Sequence, residues 1–172
     1  MPGGRDGVAG PPAENGHLSI FVGLAGDTLA WRARVLPLGV PLPAGKTVKE
    51  LVSQARSTID NLSAAELARE LERPDAVLVD LREPGERAQH GTIPGALAAP
   101  RGMLEFYADP STPYHRKELD PGRRVLLYCA SGGRSALAGA ALRQMGFARV
   151  AHLDGGFKAW KEAGFEVAPA QE

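Results

Sequence analysis

The chain has 172 residues, room for one domain with a sizeable core plus an extension. Its 20 basic and 20 acidic residues cancel, which argues against a nucleic-acid or strongly anionic membrane partner, and 44% hydrophobic with 23% charged residues is the balance of a soluble globular protein. One cysteine excludes an internal disulfide framework and suits a reducing compartment. No apolar run is long enough to span a bilayer and the start lacks the layout of a secretory signal, so a cytoplasmic address is expected.

Residues 1–16 are rich in Gly and Pro with little to bury, and disorder or loose attachment is expected there. Two apolar stretches, 18–24 and 28–36, flank Ala25-Gly26-Asp27; a β-hairpin at 18–36 is one reading and a dispensable appendage the other. Prolines punctuate 38–43, so residues 1–44 read as a Gly/Pro-rich extension and residues 45–172 as the domain. From Thr47, the spacing of Val48, Leu51, Val52, Ala55 and Ile59 predicts a helix with one apolar face. Ser63-Ala64-Ala65-Glu66 has capping-box spacing ahead of Leu67 and Leu71 on a second, short helix that Arg73-Pro74-Asp75 ends.

Ala76 to Val79 then forms an apolar run leading to Asp80, the mark of a buried parallel strand. Residues 95–99 read as a weak strand, 103–107 as a short helix, and 125–128 and 150–153 as strands each followed by a helical run. Alternating strands and helices predict an α/β fold, a mostly parallel central sheet with helices on both faces. Ligands in such sheets bind beyond the carboxyl ends of strands.

Cys129 falls at one of those ends. Val125 to Tyr128 precedes it as a strand, and Ser135 to Met145 follows as a run of good helix formers. At a helix N-terminus, unpaired N–H groups and the helix dipole favour an anion, and the thiolate is the nucleophilic form of cysteine. Gly132 and Gly133 allow the loop to curl into a nest of inward-pointing N–H groups. The competing reading, an inert buried thiol, does not account for a Ser-Gly-Gly-Arg loop beside it.

His17, His90, His115 and His152 are scattered and suggest no metal site; each reads as a surface or hydrogen-bonded residue. Trp160 reads as a core anchor on the last helix, and Gly155 and Gly156 as points of close backbone approach.

Four motifs stand in order along the chain: Val79-Asp80-Leu81-Arg82-Glu83 with Glu86; Gly91-Thr92-Ile93-Pro94-Gly95-Ala96; Tyr128-Cys129 through Ser135; and Asp154-Gly155-Gly156-Phe157 with Trp160 and Gly164. With them the chain resembles the single-domain rhodanese-like sulfurtransferases over Asn61 to Val167. The resemblance implies a rhodanese-like fold and a sulfurtransferase that takes a sulfane sulfur from thiosulfate or a related donor. It implies passage of that sulfur, as a persulfide on Cys129, to a thiophilic acceptor such as cyanide in vitro or a sulfur-relay protein, with no cofactor and no metal.

Ala130, Ser131, Gly132, Gly133, Arg134 and Ser135 are the expected substrate-binding residues, with Arg101 at the pocket mouth and Asp80, Arg82 and Glu86 in support. Ser135 has two open readings, a hydrogen bond to the outer sulfur or a plain helix cap. Arg134 also has two, a clamp on an anionic donor or a brace paired to an acidic residue. Arg82 is expected to form a structural ion pair with Glu86 or Glu83. Two alternatives to an enzyme of this kind are a persulfide carrier without turnover and a cysteine phosphatase of the same fold. The phosphatases place five residues between Cys and Arg, whereas four intervene here, Ala130 to Gly133.

Overall fold

The structure, a computed structural model, describes residue 3 and residues 45–170. The expected hairpin at 18–36 and the Gly/Pro-rich start lie outside the described residues. Among the described residues, no helix is long and apolar enough to cross a membrane.

Helix α1 (Val48–Arg56) begins where Thr47 and Glu50 close a reciprocal capping box. Ser63 and Glu66 close a second one at the start of α2 (Ala64–Glu70). Between them lies β1 (Asp60–Leu62), which the sequence reading missed: it has three residues, two of them polar and exposed, so neither alternation nor an apolar run marks it. The other strands are β2 (Ala76–Asp80), β3 (Leu97–Ala98), β4 (Arg124–Tyr128) and β5 (Val150–Leu153), all at expected places. They form one sheet in the order β1-β5-β4-β2-β3, with every pairing parallel.

Helix α3 (Pro84–His90) was also not anticipated; it buries no residue, so no apolar stripe betrays it, though Pro at its first position is a start signal. A 3-10 turn (Arg101–Met103) leads into α4 (Leu104–Ala108), and α5 (Gly133–Gln144) and α6 (Gly156–Glu162) follow β4 and β5.

The period of two along β2 and β4 sorts the core into two layers. Val77, Val79, Val125 and Leu127 face Leu104 and Ala108 of α4 and Ala138 and Leu142 of α5. Leu78, Leu126 and Tyr128 face Leu67 of α2 and Phe157 and Trp160 of α6. Helices thus cover both faces, as expected, and the two central strands are apolar throughout because both their faces are buried. Trp160 is an anchor, stacked on Phe165 at 4.5 Å between ring centroids. The predicted apolar face of α1 is only partly used: Ala55 is buried, but Val48 is 69% and Leu51 41% exposed.

Candidate active site

Cys129 follows the central strand β4 directly, and the chain passes through Ala130, Ser131 and Gly132 into α5. Helix α5 begins at Gly133, two residues before the predicted Ser135. Gly132 caps it in the left-handed conformation (φ 95°), which frees the loop to turn sharply back over the thiol. The Gly132 N–H donates to Cys129 Sγ at 3.2 Å. Cys129 itself is 1% exposed.

The loop's polarity is set from outside by α6. The N–H groups of Phe157 and Lys158 donate to the carbonyls of Cys129 (2.8 Å) and Ala130 (3.1 Å), so these oxygens are turned away from the sulfur. The N–H groups of Ala130, Ser131, Gly133, Arg134 and Ser135 donate to no protein acceptor among the described residues. A loop whose carbonyls are satisfied and whose amides are free, at the N-terminus of a 12-residue helix, is an anion-binding nest. Gly156 makes the packing possible: its φ is 62°, and a Cβ there would lie 2.5 Å from the Cys129 carbonyl oxygen and 2.7 Å from Ser131 N. Close approach was the expectation for this glycine.

Arg134 braces the loop. Its two terminal nitrogens meet both carboxylate oxygens of Glu86 at 2.7 and 2.6 Å, a bidentate pair tying α5 to α3. The Arg134 partnership, partly opposed by burial, pulls the Glu86 carboxyl down to about 2. The guanidinium is in turn held firmly protonated, first by Glu86, with Cys129 adding a smaller contribution. Ser135 is not a helix cap: it sits inside the first turn of α5, fully buried, and its Oγ lies 3.7 Å from Cys129 Sγ, 3.1 Å from the Gly132 carbonyl and 3.1 Å from His152 Nδ1.

Asp80 and Arg82 lie beneath the site at the end of β2, and their pairing differs from the expectation. Arg82 bonds Asp80, through Nε at 2.9 Å and Nη2 at 2.5 Å, rather than Glu83 or Glu86. The strand end explains the choice: two residues on from Asp80, the Arg82 side chain folds back over the same carboxylate, while Glu83 and Glu86 belong to the capping turn of α3. Asp80 also accepts from the Tyr128 hydroxyl at 2.6 Å, and that oxygen receives the Ile93 N–H at 3.1 Å. Burial, reinforced by the Asp80 charge, pushes the Tyr128 phenol far up and keeps it a donor. The Arg82 guanidinium lies 3.9 Å from the Phe157 ring centroid. This buried network locks the ends of β2 and β4 to the Gly91–Ala96 turn. Arg101, in the 3-10 turn, directs its guanidinium to Glu105 of the adjoining α4 at 2.8 Å.

The sequence reading undervalued His152. It is fully buried on β5, with Nδ1 at Ser135 and Nε2 2.8 Å from Asn61 Oδ1 on β1. Burial, with the nearby Arg56 charge, lowers its imidazole to about 4, so it is neutral at physiological pH. The available signal was a polar residue in register with Leu127, on an inward face of an apolar strand. No group of three or more His, Cys, Asp or Glu able to hold a metal occurs among the described residues.

A profile of the rhodanese-like domain matches residues 63–163. A sulfurtransferase of Allochromatium vinosum is 41% identical over 93 residues, which are 54% of this chain and 78% of that protein. A thiosulfate sulfurtransferase of Pseudoalteromonas translucida is 31% identical over 60% of this chain and 90% of its own length. Among solved structures, a Rhodopseudomonas palustris protein of unknown function, described as a possible tyrosine phosphatase, superposes with a TM-score of 0.68 at 38% identity. That match covers 75% of this chain and 99% of the other.

Proposed function

Because the chain belongs to the rhodanese-like domain family, a family with sulfurtransferase members, we propose that it is a thiosulfate-type sulfurtransferase working through a persulfide on Cys129. The observation that carries this reading is the amide nest beside the Cys129 sulfur, where α6 takes the loop carbonyls, the Gly132 N–H donates to the sulfur and the other loop N–H groups are left unpaired among the described residues.

In the first half-reaction the Cys129 thiolate attacks the outer sulfur of thiosulfate. The S–S bond of the donor breaks, its electron pair leaves with sulfite, and a persulfide remains on Cys129. In the second, the acceptor's lone pair, the carbon of cyanide or a thiolate, attacks that outer sulfur. The electron pair returns to Cys129, and thiocyanate or a new persulfide departs. Negative charge stays on sulfur or on leaving sulfite throughout, and the loop amides from Ala130 to Ser135 are aimed at it without further reorganisation. Arg134, with both donor nitrogens on Glu86, serves as the brace of the loop rather than the donor clamp.

The description of the Rhodopseudomonas palustris protein raises phosphatase chemistry as the rival. Four residues between Cys129 and Arg134 leave a tighter loop than the five of phosphatases of this fold, and sulfur transfer asks for less room than a phosphoryl group. Incubation with thiosulfate and cyanide, following thiocyanate, is the test. Turnover abolished by Cys129→Ser supports the reading, and thiocyanate formation surviving that substitution refutes it. Aryl phosphate hydrolysis without sulfur transfer would assign the rival activity, and persulfide loading without turnover on cyanide would make the protein a carrier.

A further inference from the structure

A directed chain of hydrogen bonds runs from Cys129 to the far edge of the sheet, and its direction can be derived. Asn61 Nδ2 faces two carbonyls, Arg56 O at 2.9 Å and Ile59 O at 3.1 Å, so it is the donor end of the amide. Asn61 Oδ1 therefore faces His152 Nε2, which must carry the ring proton. The ring is neutral, so Nδ1 is a bare lone pair and accepts from the Ser135 hydroxyl. The other acceptor near that hydroxyl is the Gly132 carbonyl at 3.1 Å. Ser135 has one proton to give, and both acceptors draw it away from sulfur. Toward Cys129 it presents only lone pairs, which receive the thiol proton.

The geometry points to His152 as a positioning residue that withholds the Ser135 hydroxyl from the Cys129 sulfur, so that Ser135 holds the resting thiol and leaves the thiolate to the backbone amides. If the hydroxyl turned to the sulfur, His152 Nδ1 would be left without a donor on a ring with no exposed surface, which opposes the turn. The arrangement joins β4, α5, β5 and β1, and two of its members, Asn61 and His152, are cross-strand neighbours in register. Arg56 and Asp154 are the charged groups that bear on the imidazole, and they act in opposite senses. The inference rests on Cys129 being the reactive nucleophile of the proposed function, but not on which sulfur donor it uses.

The test reads the thiol directly, by its rate of alkylation with iodoacetamide across pH. His152→Leu removes one of the two acceptors that hold the Ser135 proton, leaving only the Gly132 carbonyl to compete with the thiolate for it. It raises the rate near neutral pH by about threefold, a roughly tenfold gain in thiolate offset in part by the weaker nucleophilicity of a less basic sulfur. His152→Asn, whose Oδ1 stands in for Nδ1, returns the rate toward wild type. In the double variant Ser135→Ala/His152→Leu the gain disappears, because no hydroxyl remains to be released. A His152→Leu protein that alkylates at the wild-type rate, or a double variant that keeps the gain, overturns the inference. Nitrogen-15 NMR of the unmodified protein tests the same point with no risk of misfolding. A neutral ring protonated at Nε2 supports it, and protonation at Nδ1 refutes it. Loss of sulfur transfer with these alkylation results intact would count against the proposed function alone.

Discussion

Replacing Gly156 by alanine isolates what the loop's close packing contributes. The new Cβ would stand 2.5 Å from the Cys129 carbonyl oxygen, 2.7 Å from Ser131 N and 2.8 Å from Ala130 C, all backbone atoms that cannot swing aside. Two costs add: about 1–2 kcal/mol for an L-residue held at positive φ, and about 1–3 kcal/mol for forcing an atom into filled space. Gly146 supplies the control, because its φ is 92° but nothing lies within 4 Å of its would-be Cβ. Gly146→Ala should therefore lose only the first cost, while Gly156→Ala loses roughly 3–4 kcal/mol in all. In a domain of this size that is about 10 °C in Tm, against about 5 °C for the control. Calorimetry on both variants, with the iodoacetamide rate of Cys129, measures the difference. Equal losses of Tm for the two variants, or a Gly156→Ala protein whose Cys129 reactivity matches wild type, would refute the claim that α6 shapes the nest.

Glu86→Gln removes one side of the bidentate brace. With both partners about one-third exposed, solvent screening holds the stability loss to about 1 kcal/mol, and persulfide loading should fall more than stability does because the loop loses its tie to α3. The Glu86 contribution to stability is fully present above its ordinary 4.5 and lost as pH falls toward about 2, which an acid titration of Tm resolves in wild type and not in the variant. His152 acts at higher pH: its protonation midpoint falls from 6.5 to about 4 on folding, so the unfolded chain binds more protons between those values. Stability should therefore drop as pH is lowered from 6.5 to 4, by at most about 3 kcal/mol, and level off below. His152→Asn should flatten that slope in denaturant titrations. Tyr128→Phe leaves Asp80, Thr92 and the Ile93 N–H short of a buried partner and should cost about 1–3 kcal/mol by urea unfolding, with the Cys129 position undisturbed.

The elements legible in the sequence were those whose physics is local or periodic. The apolar periodicity from Thr47, the capping box at Ser63, the apolar runs of β2, β4 and β5, and glycines at sharp turns each carry their own signal. Strand β1 carries none and helix α3 only the Pro at its start, because β1 exists through its pairing with β5 and α3 buries nothing. The same division holds at the site. Cys129 and its loop announce themselves as thiol, glycines and helix start. The partner of Arg82 and the role of His152 depend on which strands become neighbours: Arg82 folds over Asp80 at a strand end, and His152 meets Ser135 and Asn61 across β5, α5 and β1. The exposed Val48 and Leu51 mark the converse limit, since helical periodicity predicted an apolar face without fixing how much of it is covered.

The central claim is that Cys129 carries the transferred sulfur. Intact-mass measurement after thiosulfate treatment tests it most directly. One added sulfur atom is expected, located on Cys129 by peptide mapping, lost on adding cyanide as thiocyanate appears, and absent from Cys129→Ser. Unchanged mass after thiosulfate and other sulfane donors, or added sulfur that persists in Cys129→Ser, would contradict it.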